Sequence, residues 1–121
     1  MTPMHMAAIT GRADNIKLIA EACPRLINQK DKKGMTPMAY ACKYGRTDCV
    51  KALFELKVRP VGCGIQRMTP LIWASAYGHY DLCEYLVEAK PRLVLSKDKF
   101  KRTALILAVR NGYTKIASLL L

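Results

Sequence analysis

Residues 36–55 read TPMAYACKYGRTDCVKALFE, and versions of this stretch recur from one end of the chain to the other. Thr-Pro stands at Thr2-Pro3, Thr36-Pro37 and Thr69-Pro70, with Thr103-Ala104 in the fourth place, so the steps are 34, 33 and 34 residues. Gly11, Gly45, Gly78 and Gly112 keep the same step. Two independent landmarks on one period mark a stacked repeat array, in which each unit is completed by its neighbours.

The unit has a mechanical reading. Threonine suits a helix N-cap and proline the first helical position, so Thr-Pro opens a short helix that the glycine ends about nine residues on. In the second helix, apolar residues recur at i, i+3 and i+4: Ile16, Ile19, Ala20; Val50, Leu53, Phe54; Cys83, Leu86, Val87; Ala117, Leu120, Leu121. That spacing buries one face of a helix. Ala7, Ala41, Ala74 and Ala108 form a column in the first helices, where a small side chain lets neighbours approach closely. Each unit is therefore expected to be an antiparallel helix pair.

The pattern T-P-M-A-Y-A-C-K-Y-G, repeated in register, resembles the ankyrin repeat, whose consensus continues into a second helix and a β-hairpin finger. His5 matches the family's histidine, and His79 matches the one after the glycine. The resemblance implies an all-α repeat solenoid: stacked antiparallel helix pairs with β-hairpin-like finger loops. It covers a single domain, 1–121, with repeats at approximately 1–34, 35–67, 68–101 and 102–121, the last incomplete. Cys23, Lys57 and Lys90 stand where the family places the glycine that ends the second helix, so blunter helix ends are expected. One extra residue near Pro24-Arg25-Leu26 and near Pro91-Arg92-Leu93 points to duplication of a two-repeat block. Asp31 and Gly34 resemble the turn at a fingertip, with Gly34 at positive φ. Arg67 and Lys101 hold that place in the next two loops, where a different turn is expected.

Composition sets further bounds. About half of the residues (51%) are apolar, enough for a core, and no run of eighteen apolar residues or secretory signal pattern occurs. The expected location is intracellular, cytoplasmic or nuclear. The opening on Thr2-Pro3 and the apolar close at Leu119-Leu120-Leu121 read as a fragment of a longer array. The five cysteines form no C-x-x-C pair. Cys42, Cys49 and Cys83 fall on expected core faces, while Cys23 and Cys63 fall in loops, where reactivity is an open alternative. Gly62-Cys63-Gly64 reads as a flexible loop, since no strand-turn-helix unit surrounds it.

Charge separates this chain from an average repeat. Twenty Lys and Arg against nine Asp and Glu give +11, and the loops 24–35, 58–68 and 91–102 hold +3, +2 and +4 of it. A stack would align these loops into one basic edge that attracts anionic partners in a salt-dependent way. A solvated surface that merely aids solubility is the plainer reading.

Ankyrin family members vary most at the two positions before each glycine, here Lys43-Tyr44, Ala76-Tyr77 and Arg110-Asn111 after a first pair Ile9-Thr10. Tyr44 and Tyr77 offer rigid amphipathic area for a partner, or equally for a neighbouring finger. A second column, Met6, Tyr40, Trp73 and Leu107, reads as framework, with Trp73 the member expected to show an edge. Phe100 stands among Lys97, Lys99, Lys101 and Arg102 with little core to join. The expected contact set is therefore Lys32, Lys33, Met35, Lys43, Tyr44, Trp73 and Tyr77, with Lys99, Phe100, Arg102 and Arg110. No metal ligands, cofactor or catalytic residues are expected, because nothing pairs a nucleophile with a base across the repeats. The leading expectation is a protein-interaction scaffold for an acidic or phosphorylated partner segment. The alternative is weak binding of nucleic acid or an anionic membrane surface through the basic edge. A third possibility is a spacer inside a longer array.

Overall fold

A computed structural model describes the whole chain, residues 1–121. Its helices are α1 (Pro3–Thr10), α2 (Ala13–Ala22), α3 (Pro37–Lys43), α4 (Thr47–Glu55), α5 (Pro70–Ala76), α6 (Tyr80–Ala89), α7 (Ala104–Arg110) and α8 (Thr114–Leu120). Successive helices pair within each unit, α1, α3, α5 and α7 pack side by side as an inner layer, and the even-numbered helices form the outer one. The architecture is an all-α repeat solenoid.

Local chemistry explains where each inner helix begins. The hydroxyls of Thr2, Thr36 and Thr103 accept the N–H groups of His5, Ala39 and Ile106 at 3.3, 3.2 and 3.3 Å. The hydroxyl of Thr69 instead pairs with Ser96 Oγ at 2.8 Å, tying α5 to the third connecting loop. Helices of seven to ten residues are too short to stand alone, so their stability comes from packing. Ala7, Ala41, Ala74 and Ala108 are all buried between inner helices, and 31 buried residues form one continuous core. The repeats thus share a core instead of owning one each.

Outer helices bury Ile16 and Ala20, Val50 and Leu53, Cys83 and Leu86 as their spacing predicts. The fourth differs: Ile116 and Leu120 point inward, Ala117 is half-buried, and Leu121 is exposed because α8 ends before it. The expected blunt helix ends also need correction. Lys57 adopts φ 68°, taking the left-handed conformation that a glycine would supply. Cys23 and Lys90 share another ending, with φ −138° and −137°, and each leads into a short 3₁₀ turn, Pro24–Leu26 or Pro91–Leu95.

The fingers are turns without a strand ladder; a lone antiparallel bridge joins Cys63 and Met68. Arg67 (φ 52°) and Lys101 (φ 61°) adopt the same left-handed turn as Gly34 (φ 75°), against the expectation of a different one. The reason is visible in the first and third fingers. Asp31 Oδ1 accepts from Lys33 N and Met35 N (2.9 and 3.0 Å), and Asp98 Oδ1 accepts from Phe100 N and Arg102 N (2.8 and 2.9 Å). Two such bonds per carboxylate hold the turn even where a side chain disfavours it. Backbone bonds Gly64 N to Gly34 O (3.0 Å) and Lys99 N to Gln66 O (2.7 Å) align the three fingers in a row.

Candidate groove and basic fingers

The inner helices end in the aromatic residues of the concave face. Tyr44 and Tyr77 directly follow α3 and α5 and are 42% and 46% exposed. Beneath them, Tyr40 stacks on Tyr44 at 6.5 Å and Trp73 on Tyr77 at 5.9 Å, while His5 meets Tyr40 edge-on at 5.5 Å. Lys43 Nζ lies 5.6 Å from the ring centroids of both Tyr44 and Tyr77, within cation–π range of each. The two tyrosines are therefore bridged by a charge from the repeat that carries the first.

Tyr40, Trp73 and Leu107 are buried as framework, whereas Met6 in the same column is half exposed. The Tyr40 hydroxyl donates to Asp31 Oδ2. Burial and this bond push the Tyr40 phenol up to about 12. Burial alone would raise the Asp31 carboxyl, yet hydrogen bonds from Tyr40, Met35 N and Lys33 N hold it below its ordinary value. The fingertip aspartate thus locks the finger to the inner helix.

Two clefts of about 410 Å³ each open on this face. Lys33, Met35, Lys43, Tyr44 and Trp73 line the first, with Ile65 and Gln66 from the second finger. Trp73, Tyr77, Arg102 and Arg110 line the other, again with Gln66. Trp73 and Gln66 form a shared wall, and no carboxylate lines either cleft. The clefts bring together eight of the eleven expected contact residues, while Lys32, Lys99 and Phe100 stand exposed on the fingertips.

Two of the eight are less free than expected. Met35 is buried, a wall residue and no exposed anchor. Arg102 is held by its own finger: Nε and Nη2 each reach Asp98 Oδ2 at 2.8 Å, and the guanidinium lies 5.1 Å from the Phe100 ring centroid. Beyond Arg102–Asp98, the one other ion pair joins Lys17 to Glu55 on the outer surface, so Lys33, Lys43 and Arg110 have no carboxylate within 4.0 Å. Uncompensated positive charge is what the groove presents.

Sequence reading missed Ile65 and Gln66. Ile65 shares its register with Lys32 and Lys99, and Gln66 with Lys33 and Phe100, so the period itself carried that signal. It also placed Cys63 in a reactive loop, but Cys63 is buried, and its sulfur accepts from Thr36 Oγ1 at 3.6 Å. All five cysteines are free thiols; burial pushes Cys49 and Cys83 up to about 11 and Cys42 well above its usual range. No group of three or more His, Cys, Asp or Glu side chains is placed to hold a metal ion, and no helix is long and apolar enough to cross a membrane.

Residues 1–63 and 58–121 each match the family described as ankyrin repeats (3 copies). Over 54 residues the chain is 37% identical to SMC5-SMC6 complex localization factor protein 1 of Bos taurus and 35% identical to the Homo sapiens protein of that name. Those alignments cover 45% of this chain and 5% of each relative's length.

Proposed function

The chain belongs to the ankyrin repeat family of protein-interaction modules, and on that premise we propose that it holds an acidic or phosphorylated partner segment against its concave face and basic fingers. One observation carries this reading: Lys43, without a carboxylate partner, sits between two half-exposed tyrosines beside clefts that contain no acidic residue. Tyr44 and Tyr77 supply contact area, and Lys32, Lys33, Lys43, Lys99 and Arg110 attract and orient the partner. The four units 1–34, 35–67, 68–101 and 102–121 act as one binding domain in this reading. Neither catalysis nor a cofactor is part of it, since the groove is open to solvent. Five free thiols accord with an intracellular location, cytoplasmic or nuclear.

A second reading, attachment to nucleic acid or an anionic membrane, draws on the fingertips, where exposed Ile65 and Phe100 stand among the cations. A lysate capture separates the two. The chain and a variant with Lys32, Lys33, Lys99, Lys101 and Arg102 changed to Ser are compared at near-physiological salt, with and without nuclease, after matching circular dichroism. Discrete proteins that survive nuclease and vanish with the variant support the protein-binding reading; complete loss on nuclease treatment transfers support to the second.

A further inference from the structure

Building on the protein-binding reading, we infer that the partner segment is a polyproline II stretch carrying two acidic side chains three residues apart, one for each cleft. The clefts open beside successive repeats and share the wall of Trp73 and Gln66. On one side stand Lys33 and Lys43, and on the other Arg110, none with a carboxylate of its own. Successive packed helices are ~8–10 Å apart, which sets the spacing between cation clusters. In polyproline II, with three residues per turn and a rise of ~3.1 Å, side chains i and i+3 lie on one side ~9 Å apart. A flat strand returns to the same side at ~6.6 or ~13 Å and fits poorly.

An α-helix also meets the spacing, with i and i+7 ~10.5 Å apart, but the wall speaks for an extended chain. Trp73 is 8% exposed, and its indole N–H is the buried side-chain donor that lacks an acceptor. The Gln66 amide beside it is held through a single 3.4 Å contact from Arg102 Nη2. Both groups suit a backbone whose carbonyls and N–H groups are free, as in polyproline II; a helix consumes its own. Tyr44, Tyr77 and Trp73 supply the aromatic lining that such segments dock against.

Trp73 is the single tryptophan of the chain, so its fluorescence reports directly on the wall between the clefts. Proline-rich peptides bearing two glutamates at spacings from i+1 to i+4, and a helical peptide with glutamates at i and i+7, are titrated at near-physiological salt. The expected result is that the i+3 peptide binds at least ~10-fold more tightly than the i+1 peptide and shifts the Trp73 emission. Lys43→Ser or Arg110→Ser, each with unchanged circular dichroism, should bring it down to the affinity of a single-glutamate peptide. Affinities within ~2-fold across all spacings, or a preference for the helical peptide, would overturn the inference. If no peptide binds yet the lysate capture succeeds, the spacing inference falls and the protein-binding reading stands; if both fail, both fall.

Discussion

The imidazole of His79 lies directly against Gly45: a methyl group there would come within 2.5 Å of Nδ1, while Nε2 is 2.7 Å from the Lys43 carbonyl. A carbonyl can only accept, so Nε2 carries the proton and donates. The third repeat thereby holds the end of α3, from which Lys43 and Tyr44 project. Arg46 covers Gly11 and Tyr113 covers Gly78 in the same manner, so each glycine is both a left-handed turn and a seat for the next repeat.

Gly45→Ala and Gly112→Ala separate those two roles. Gly45 combines φ 69° with the His79 contact, whereas Gly112 has φ 77° and no heavy atom within 4 Å of the added carbon. Backbone strain alone costs about 1 kcal/mol and overpacking about 2 more, so Gly45→Ala should lose about 3 kcal/mol and Gly112→Ala about 1. Urea unfolding measures both; equal losses would deny the seating role.

Asp98 should be the most costly finger residue to replace. It is buried, accepts three hydrogen bonds and pairs with Arg102, so Asp98→Ala is expected to cost about 3 kcal/mol. Burial would raise its carboxyl, but the Arg102 and Phe100 contacts hold it below the ordinary 3.8, as Asp31 is held by its own bonds. For a lowered acid, the stabilisation is full above the unfolded-state value and is lost as pH falls through the folded-state one. Melting temperature should therefore drop steeply below about pH 4, and less steeply in Asp98→Asn. Identical acid profiles would contradict this.

Tyr44→Ala and Tyr77→Ala should each weaken partner binding about 10-fold, leaving the dependence on salt intact. Replacing Lys32, Lys33 and Lys99 with Ser should instead flatten that dependence. Isothermal titration at several salt concentrations distinguishes them, and a tyrosine variant that alters only the salt slope would count against the anchoring role.

A thiol reagent at mildly alkaline pH should label Cys23 first, because it is the one cysteine that is not buried. Cys42, Cys49 and Cys83 are both buried and poor thiolates, so they should react on the timescale of unfolding. Mass spectrometry of the labelled peptides gives the order; early modification of Cys83 would contradict the packing described.

The finger turns show where local reading stopped. Asp31 and Gly34 were legible as a turn, but Arg67 and Lys101 in the same conformation were not, because their own preferences oppose it. What overrides those preferences is a hydrogen-bond set closed from elsewhere, such as Lys99 N to Gln66 O. Arg102 looked like a free cation for the same reason, since its pairing with Asp98 depends on how the finger folds back.

The sequence by itself determined the period, the helix pairs, the alanine column and the placement of charge in the loops, since each depends on residues a turn or a repeat apart. It also placed Tyr44 and Tyr77 one repeat apart on the inner face. Only the tertiary structure decided that Lys43 reaches both rings, that Trp73 and Gln66 divide two clefts, and that Cys63 is buried. These are distances between side chains of different repeats, fixed by how the units stack, and no local spacing encodes them.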